Sequence, residues 1–179
     1  MRLLISLAVL MLLVVAANSQ ENSFYDFKVN TIDGKEFDFA QLEGKKVMVV
    51  NTASKCGYTP QYKELQELYS QYGGDDFIII GFPANNFRNQ EPGSDADIKE
   101  FCTRNFGVTF PMMSKISVKG DDIHPLYEWL TQKEQNGVMD SEVTWNFQKY
   151  LIDEEGNLIT FLRPKIKPMS AEVLNLIIK

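Results

Sequence analysis

The sequence of 179 residues has few of the side chains that build metal centres: it contains a single His and two Cys. Structural and catalytic zinc sites take three or four ligands, so one imidazole and two distant thiols predict no metal site. Basic residues are also outnumbered, with 18 Lys and Arg against 24 Asp and Glu and a formal net charge of −6. Because nucleic-acid binding depends on clustered Lys and Arg, this charge excludes a nucleic-acid-binding protein.

Long hydrophobic runs are missing except near the N-terminus, where residues 3–17 are apolar apart from Ser6. This run is shorter than the ~20 residues that a membrane-spanning helix needs. Arg2 precedes it, and Ala17 and Ser19 occupy the positions that a signal peptidase reads, so residues 1–19 are predicted to be a secretory signal. An uncleaved N-terminal anchor is the alternative. We therefore expect an exported protein, periplasmic or secreted, with no stable membrane anchor and with residues 20–179 as a single domain.

Hydrophobic patterning predicts an α/β fold built on a central mixed sheet flanked by helices. Alternating apolar residues around Asp33 and Gly34 predict an N-terminal β-hairpin. Helices are expected to begin near Thr59 and Pro60, at Ser94, at His124 and Pro125, and at Ser170, where capping residues precede apolar stripes. Strands are expected over residues 46–52, 77–83, 112–118, 145–152 and 158–162.

Cys56 follows a buried strand and directly precedes a helix, in the loop position that carries the functional site in many α/β sheets. Unpaired N–H groups at a helix N-terminus stabilise a thiolate, and Lys55 adds a nearby positive charge. A small buried Cys without reactivity is the alternative. The single imidazole, His124, lies before Pro125 at a helix start, which favours a capping or surface role over that of a catalytic base.

Several motifs in order along the chain resemble those of the glutathione peroxidase family. They cover nearly all of residues 24–168 and consist of NTASKCGYTPQY at 51–62, GFPANNF at 81–87, QEPG at 90–93, FGVTFP at 106–111, HPLY at 124–127 and WNFQKYL at 145–151. The resemblance implies a thioredoxin-like fold and the reduction of hydrogen peroxide and of organic or lipid hydroperoxides. No cofactor is required for that reaction.

The resemblance also implies roles for individual residues. Cys56 matches the peroxidatic residue, which is selenocysteine in some members, and Trp145 and Asn146 match the Trp and Asn that hydrogen-bond the reactive atom. Both have side-chain N–H donors suited to that task. The sequence departs from the family at Asn86, which replaces a Gln and is one methylene shorter. Three possibilities stay open: Asn86 reaches the sulfur, a water bridges them, or Gln90 compensates.

Cys102 matches the resolving Cys of thioredoxin-dependent members, although its spacing from Ile98 places it on the apolar face of a helix. A disulfide with Cys56 would then require that helix to loosen, because disulfides tolerate a Cα separation of only ~7 Å. The expected reductant is a thioredoxin-like protein or glutathione. The short segment 132–143 lacks the insertion of tetrameric members, which predicts a monomer. Two other functions stay open, an envelope thiol–disulfide oxidoreductase and a peroxide sensor.

Overall fold

The computed structural model describes residues 23–178. The signal predicted over residues 1–19 lies outside the described residues and stays a prediction. Between residues 23 and 178, no helix has both the length and the apolar character needed to cross a bilayer.

A four-stranded mixed sheet forms the centre of the molecule. Strand β3 (Lys46–Thr52) pairs in parallel with β4 (Phe77–Pro83) and antiparallel with β5 (Lys149–Ile152), which pairs antiparallel with β6 (Leu158–Leu162). The strand order is therefore β4-β3-β5-β6. Every residue of β3 is buried, as expected for a central strand covered on both faces. The predicted mixed sheet is confirmed.

The two faces of the sheet belong to two hydrophobic clusters. Val47 and Val49 of β3 face one cluster, while Met48 and Val50 face the other, because side chains alternate along a strand. The first cluster is closed by α3 (Pro125–Thr131), and the second by α1 (Gln61–Tyr72), α2 (Asp95–Phe106) and α5 (Ala171–Ile177). Both cysteines lie in the second cluster.

An N-terminal hairpin of β1 (Lys28–Asn30) and β2 (Glu36–Asp38) packs outside the sheet, as predicted. Its turn contains Gly34 at a φ of 76°, a conformation that glycine adopts without steric cost. A short helix, α4 (Lys133–Asn136), was not expected from the sequence.

Capping residues set the ends of two helices as predicted. Ser94 and Asp97 form a reciprocal capping box at the start of α2, and Gly107 ends that helix in the left-handed conformation. His124 Nδ1 accepts a hydrogen bond from the Leu126 N–H at 3.2 Å, so the ring caps α3. Burial lowers the pKa of His124, which favours the neutral ring that this bond requires.

Three local predictions are wrong. The strand expected over residues 112–118 does not form. Met112 and Met113 each make one isolated bridge, Met112 to Gly81 and Met113 to Thr31, and these lie on two different segments, so no continuous ladder results. The strand expected from residue 145 begins at Lys149, since Phe147 has a φ of 68° that cannot continue a strand. Thr59 does not cap α1: the N-cap is Pro60, and no side chain caps that helix.

Candidate active site

The Cys56 loop is closed by the hydroxyl of Thr59. This hydroxyl accepts a hydrogen bond from the Cys56 N–H at 3.0 Å and donates one to the Ala53 carbonyl at 2.8 Å. The loop thereby holds the Cys56 sulfur next to the N–H of Tyr58, which donates to it at 3.4 Å. Cys56 is a free cysteine with 7% of its surface exposed, so its sulfur is sheltered but close to solvent.

The segment that carries Trp145 and Asn146 is attached to the end of β3. The Asn51 side chain donates to the Trp145 carbonyl at 3.1 Å, and the Phe147 N–H donates to the Asn51 carbonyl at 2.6 Å. Phe147 is fully buried despite its positive φ, a conformation unusual for a bulky residue and often found at functional sites. The bend at Phe147 is therefore attached to Asn51, which lies five residues before Cys56 in the chain.

Gln90 links this segment to the Cys56 loop. Its carbonyl accepts from the Lys55 N–H at 3.0 Å, and its side-chain Oε1 accepts from Asn146 Nδ2 at 3.0 Å. Asn146 is fully buried, and its Oδ1 has no hydrogen-bond partner. The loop of Cys56, the Gln90 side chain and the Asn146 amide therefore meet at one end of the sheet.

Asn86 faces a different part of the molecule. Its Nδ2 donates to the Ser117 hydroxyl at 2.8 Å and to the Lys119 carbonyl at 3.0 Å, while its Oδ1 accepts from the Val118 N–H at 2.9 Å. Both ends of this amide are thus engaged by residues 117–119. Of the three possibilities left open by the sequence, the geometry favours Gln90 as the amide at the site.

Cys102 is buried in the intact helix α2 with 1% of its surface exposed. Burial raises the pKa of the Cys102 thiol to about 11. Its carbonyl accepts hydrogen bonds from the N–H groups of Gly107 and Val108 at the helix end. In this reduced form both cysteines are free, and Cys102 is held as a protonated thiol inside the second hydrophobic cluster.

An open groove of about 530 Å³ lies beside the site. Tyr58, Trp145 and Pro164 give it apolar walls. Its other lining residues include three cations, Arg88, Arg163 and Lys165, which sequence reasoning missed because Arg88 is far from the other two in the chain. The Arg88 guanidinium lies 5.6 Å from the centre of the Trp145 ring, a distance typical of a cation–π contact.

The sequence analysis also missed Lys149, a fully buried lysine at the start of β5. Its Nζ donates to Gln61 Oε1 at 2.5 Å and to the Ile166 carbonyl at 2.7 Å, which ties α1 to the segment that forms one wall of the groove. Burial lowers the pKa of Lys149 to about 7, although the nearby Glu64 carboxylate raises it. The sequence feature that could have indicated this buried lysine is its position as the first residue of an otherwise apolar strand.

Replacing Lys149 with methionine is expected to remove a pH dependence of stability. A lysine whose pKa is about 7 in the folded chain and 10.5 otherwise binds its proton more tightly when unfolded, so the free energy of unfolding rises with pH between these values. From pH 7 to 9 the wild type should gain about 2 kcal/mol relative to Lys149→Met. Urea unfolding at both pH values measures the difference.

The exposed Lys63 of α1 provides the control, since Lys63→Met should leave the pH dependence of the wild type unchanged. Equal slopes for the wild type and Lys149→Met would contradict the prediction.

No group of three or more His, Cys, Asp or Glu side chains capable of holding a metal ion occurs within the described part of the chain.

The chain is similar to several known proteins. The profile of the glutathione peroxidase family matches residues 24–131. The chain is 50% identical over 150 residues to the glutathione peroxidase-like peroxiredoxin gpx1 of Schizosaccharomyces pombe, covering 83% of this chain and 94% of that protein. It is 47% identical over 150 residues to the glutathione peroxidase homolog BsaA of Bacillus subtilis, covering 84% and 94%.

Solved structures show the same relationship. The crystal structure of Trgpx in its apo form is 40% identical, has a TM-score of 0.67 and covers 88% of this chain and 97% of its own. A thioredoxin-family thiol:disulfide interchange protein from Chlorobium tepidum is 20% identical with a TM-score of 0.62, covering 90% and 99%, which shows the thioredoxin-like fold alone. The chain belongs to the glutathione peroxidase family and is a thiol peroxidase, an oxidoreductase of the oxidative-stress response.

Proposed function

We propose that the enzyme works through a two-cysteine cycle. The Cys56 thiolate attacks a hydroperoxide, so that an S–O bond forms and the O–O bond breaks, which leaves a sulfenic acid. The departing hydroxide or alkoxide takes up a proton and is released as water or an alcohol. The Cys102 sulfur then attacks the Cys56 sulfur, the S–O bond breaks, and the departing hydroxide takes up a proton to give water. An external dithiol protein reduces the Cys56–Cys102 disulfide and restores both thiols.

The single observation that carries the proposal is the meeting of the Cys56 loop, Gln90 and Asn146. The amide pair supports a role for Asn146 as a hydrogen-bond donor to the reactive sulfur or peroxide oxygen. The oxygen and nitrogen of a terminal amide can be exchanged by turning the amide group over. When the amides of Gln90 and Asn146 are both turned over, the hydrogen bond between them is kept with its direction reversed. The position of the unpartnered Asn146 Oδ1 is then occupied by a free N–H donor. Trp145, which supplies an indole N–H, lines the adjacent groove.

Gln90 and Asn86 are expected to differ in their effect on peroxide reduction. Gln90→Leu removes the hydrogen bond that orients Asn146 but keeps the Asn146 amide itself. The second-order rate constant for hydrogen peroxide should therefore fall about tenfold, or about 1.4 kcal/mol, as expected for one lost buried hydrogen bond. Asn86→Leu should leave that rate constant within about twofold, because its amide contacts residues 117–119.

Stopped-flow oxidation of each reduced variant measures these rate constants, with thermal melting as a check on folding. A larger loss of rate for Asn86→Leu than for Gln90→Leu would show that Asn86, and not Gln90, takes the role of the family Gln.

The groove supports organic hydroperoxides as substrates besides hydrogen peroxide. Its apolar walls at Tyr58, Trp145 and Pro164 suit an alkyl chain, and its three cations suit an acidic group on the substrate or on a reductant. A thioredoxin-like protein fits the two-cysteine cycle because it reduces disulfides, while glutathione would serve a cycle that stops at the sulfenic acid.

We further propose that the protein is exported and monomeric. Export is supported by the predicted signal, and N-terminal sequencing of the mature protein should begin at Gln20. A monomer is supported by the surface of the described residues, on which the exposed large apolar side chains are scattered at Tyr58, Val138 and Ile178. Light scattering during size exclusion should give the mass of a single chain.

The cycle is tested by adding one equivalent of hydrogen peroxide to the reduced mature protein and measuring the intact mass. Loss of two hydrogens with a Cys56–Cys102 linkage in the peptide map is the expected result. Addition of one oxygen to Cys56 alone would overturn the resolving role of Cys102 and favour a small thiol as reductant. A single oxidation followed by slow recycling would indicate a sensor instead of a continuously working peroxidase.

A further inference from the structure

The chain reverses at residues 88 and 89 in a backbone conformation that does not suit arginine. Arg88 has a φ of 53° and Asn89 a φ of 52°, both in the left-handed region. Asparagine tolerates this region, and here Asn89 Oδ1 also accepts a hydrogen bond from Asn85 Nδ2 at 3.3 Å. Arginine adopts it at a cost that glycine does not have. The turn therefore gives no reason for an arginine at position 88, and the reason lies with its side chain.

The Arg88 side chain lies over Trp145 at the edge of the groove. Its guanidinium carbon is 5.6 Å from the centre of the indole ring, and the buried Phe87 ring packs against the same indole with ring centres 5.3 Å apart. Apart from this contact, the exposed Arg88 side chain forms no ion pair or hydrogen bond with the other described residues. Its five N–H donors are therefore free to bind a ligand.

The charge in this groove is of one sign. Arg163 and Lys165 line it together with Arg88, and among the described residues no Asp or Glu lines it or pairs with any of these three cations. Elsewhere on the surface, Lys99 and Arg104 contact carboxylates at 2.7 Å. A cluster of three cations without a carboxylate, on a protein with a net charge of −6, attracts an anion.

The other walls of the groove indicate what else the anion contains. Tyr58, Trp145 and Pro164 provide apolar surface, and the Tyr58 N–H donates to the Cys56 sulfur at 3.4 Å, so the groove begins at the reactive loop. A carboxylate binds a guanidinium through two parallel hydrogen bonds, and an apolar chain covers the walls. Glutathione also has carboxylates, but its polar peptide groups gain nothing from apolar walls. The groove therefore fits an amphipathic carboxylic acid.

We propose that Arg88 is a specificity-determining residue that selects hydroperoxides carrying a carboxylate, such as the hydroperoxide of a long-chain fatty acid. The inference rests on the proposed use of the groove for organic hydroperoxides. The carboxylate binds at Arg88, and the chain lies along the apolar walls with its O–O group towards Cys56. The reaction at Cys56 is the one already described: an S–O bond forms, the O–O bond breaks, and the alkoxide takes up a proton. The carboxylate is bound without being altered.

A matched pair of substrates tests this selection. The hydroperoxide of linoleic acid and that of its methyl ester have the same chain and the same O–O group, and only the acid is charged. Reduced enzyme is mixed rapidly with each one below its micelle-forming concentration, quenched with acid and analysed by intact mass, with no reductant present. The wild type should be oxidised at least about tenfold faster by the acid than by the ester, as expected for a charge-assisted hydrogen bond.

Arg88→Met removes the charge and keeps an unbranched side chain over Trp145. The acid-to-ester ratio of rate constants should fall about fivefold, the contribution of one exposed ion pair. Any change in the peroxide step itself affects both substrates and cancels in the ratio. Arg104→Met is the matched control, because it removes the same charge from α2, where Arg104 pairs with Glu100, and it should leave the ratio unchanged. An unchanged ratio in Arg88→Met, or a wild type that does not distinguish the two substrates, would overturn the inference.

Arg88→Gly tests the conformational cost. It should lower the acid-to-ester ratio as much as Arg88→Met does, yet melt about 2 °C or more above Arg88→Met, since only glycine fits the left-handed turn freely. A purely structural role of Arg88 would lower the melting temperature of both variants and leave the ratio unchanged. A glycine variant that melts no higher than the methionine variant would contradict the cost on which the inference depends.

Failure of the proposed cycle has a different signature. The first oxidation requires Cys56 alone, so the ratio is measured whether or not the Cys56–Cys102 disulfide forms. A wild type that reacts with hydrogen peroxide but with neither lipid substrate would overturn the proposed use of the groove. An effect of Arg88→Met that is confined to steady-state turnover with glutathione would assign the carboxylate to the reductant and overturn the selection of substrate.

Discussion

Replacement of Cys56 by serine is expected to lower the rate of peroxide reduction at least about 10³-fold, since removal of a reacting nucleophile leaves only binding and polar stabilisation. Serine has nearly the size of cysteine, and the bonds that close the loop run through the Cys56 backbone and Thr59, so the fold should be retained. Steady-state consumption of hydrogen peroxide with a thioredoxin-like reductant measures the loss.

Cys102→Ser is the control for that experiment. Cys102 lies in helix α2 and, in the proposed cycle, takes part only after the peroxide has reacted, so this variant should keep the first oxidation at the wild-type rate. It should stop at the sulfenic acid and lose turnover with a dithiol protein. Retention of more than about a tenth of wild-type activity in Cys56→Ser would contradict the assignment of Cys56 as the nucleophile.

Asn146→Ala is expected to reduce the second-order rate constant about 10²-fold, the effect of removing one preorganised donor from a sheltered site. The amide is fully buried and bonded to Gln90, so it is held in place before the peroxide arrives. Stopped-flow oxidation of the reduced enzyme measures this constant without interference from the reductant.

The effect on catalysis can be separated from an effect on stability. Asn136 is another buried Asn, and it donates to the Trp129 and Met139 carbonyls away from the site. Asn136→Ala should therefore lower the melting temperature but leave the rate constant of the folded fraction unchanged. A similar rate loss in both variants would show that Asn146 contributes only through the fold.

Secondary structure and helix caps were predicted correctly from the sequence where residues close together in the chain determine them. The β3 and β4 strands, the helix cap at Ser94 and the His124 cap all occur as predicted, because each depends on residues within a few positions. Thr59 shows where this reasoning fails. Its hydroxyl could cap α1, but it bonds the Cys56 N–H and the Ala53 carbonyl, a choice made by the loop as a whole.

The amide at the site is the clearest case of a decision made by the tertiary structure. Motif matching points to Asn86, while the structure directs Gln90 towards Asn146. Arg88 and Asn89 both have φ values near 50°, so the chain reverses between the two amides and turns them to different sides. Backbone conformations of this kind depend on the contacts that hold them and leave little trace in the residue types.

By itself the sequence determined the α/β class, the position of Cys56 between a strand and a helix, and the family, because these follow from hydrophobic period and from motifs in order. Only the tertiary structure decided that Cys102 is a buried helical thiol, that Lys149 lies inside the protein, and that three cations share one groove. Burial and charge at a site are sums over residues distant in the chain, and the fold alone brings those residues together.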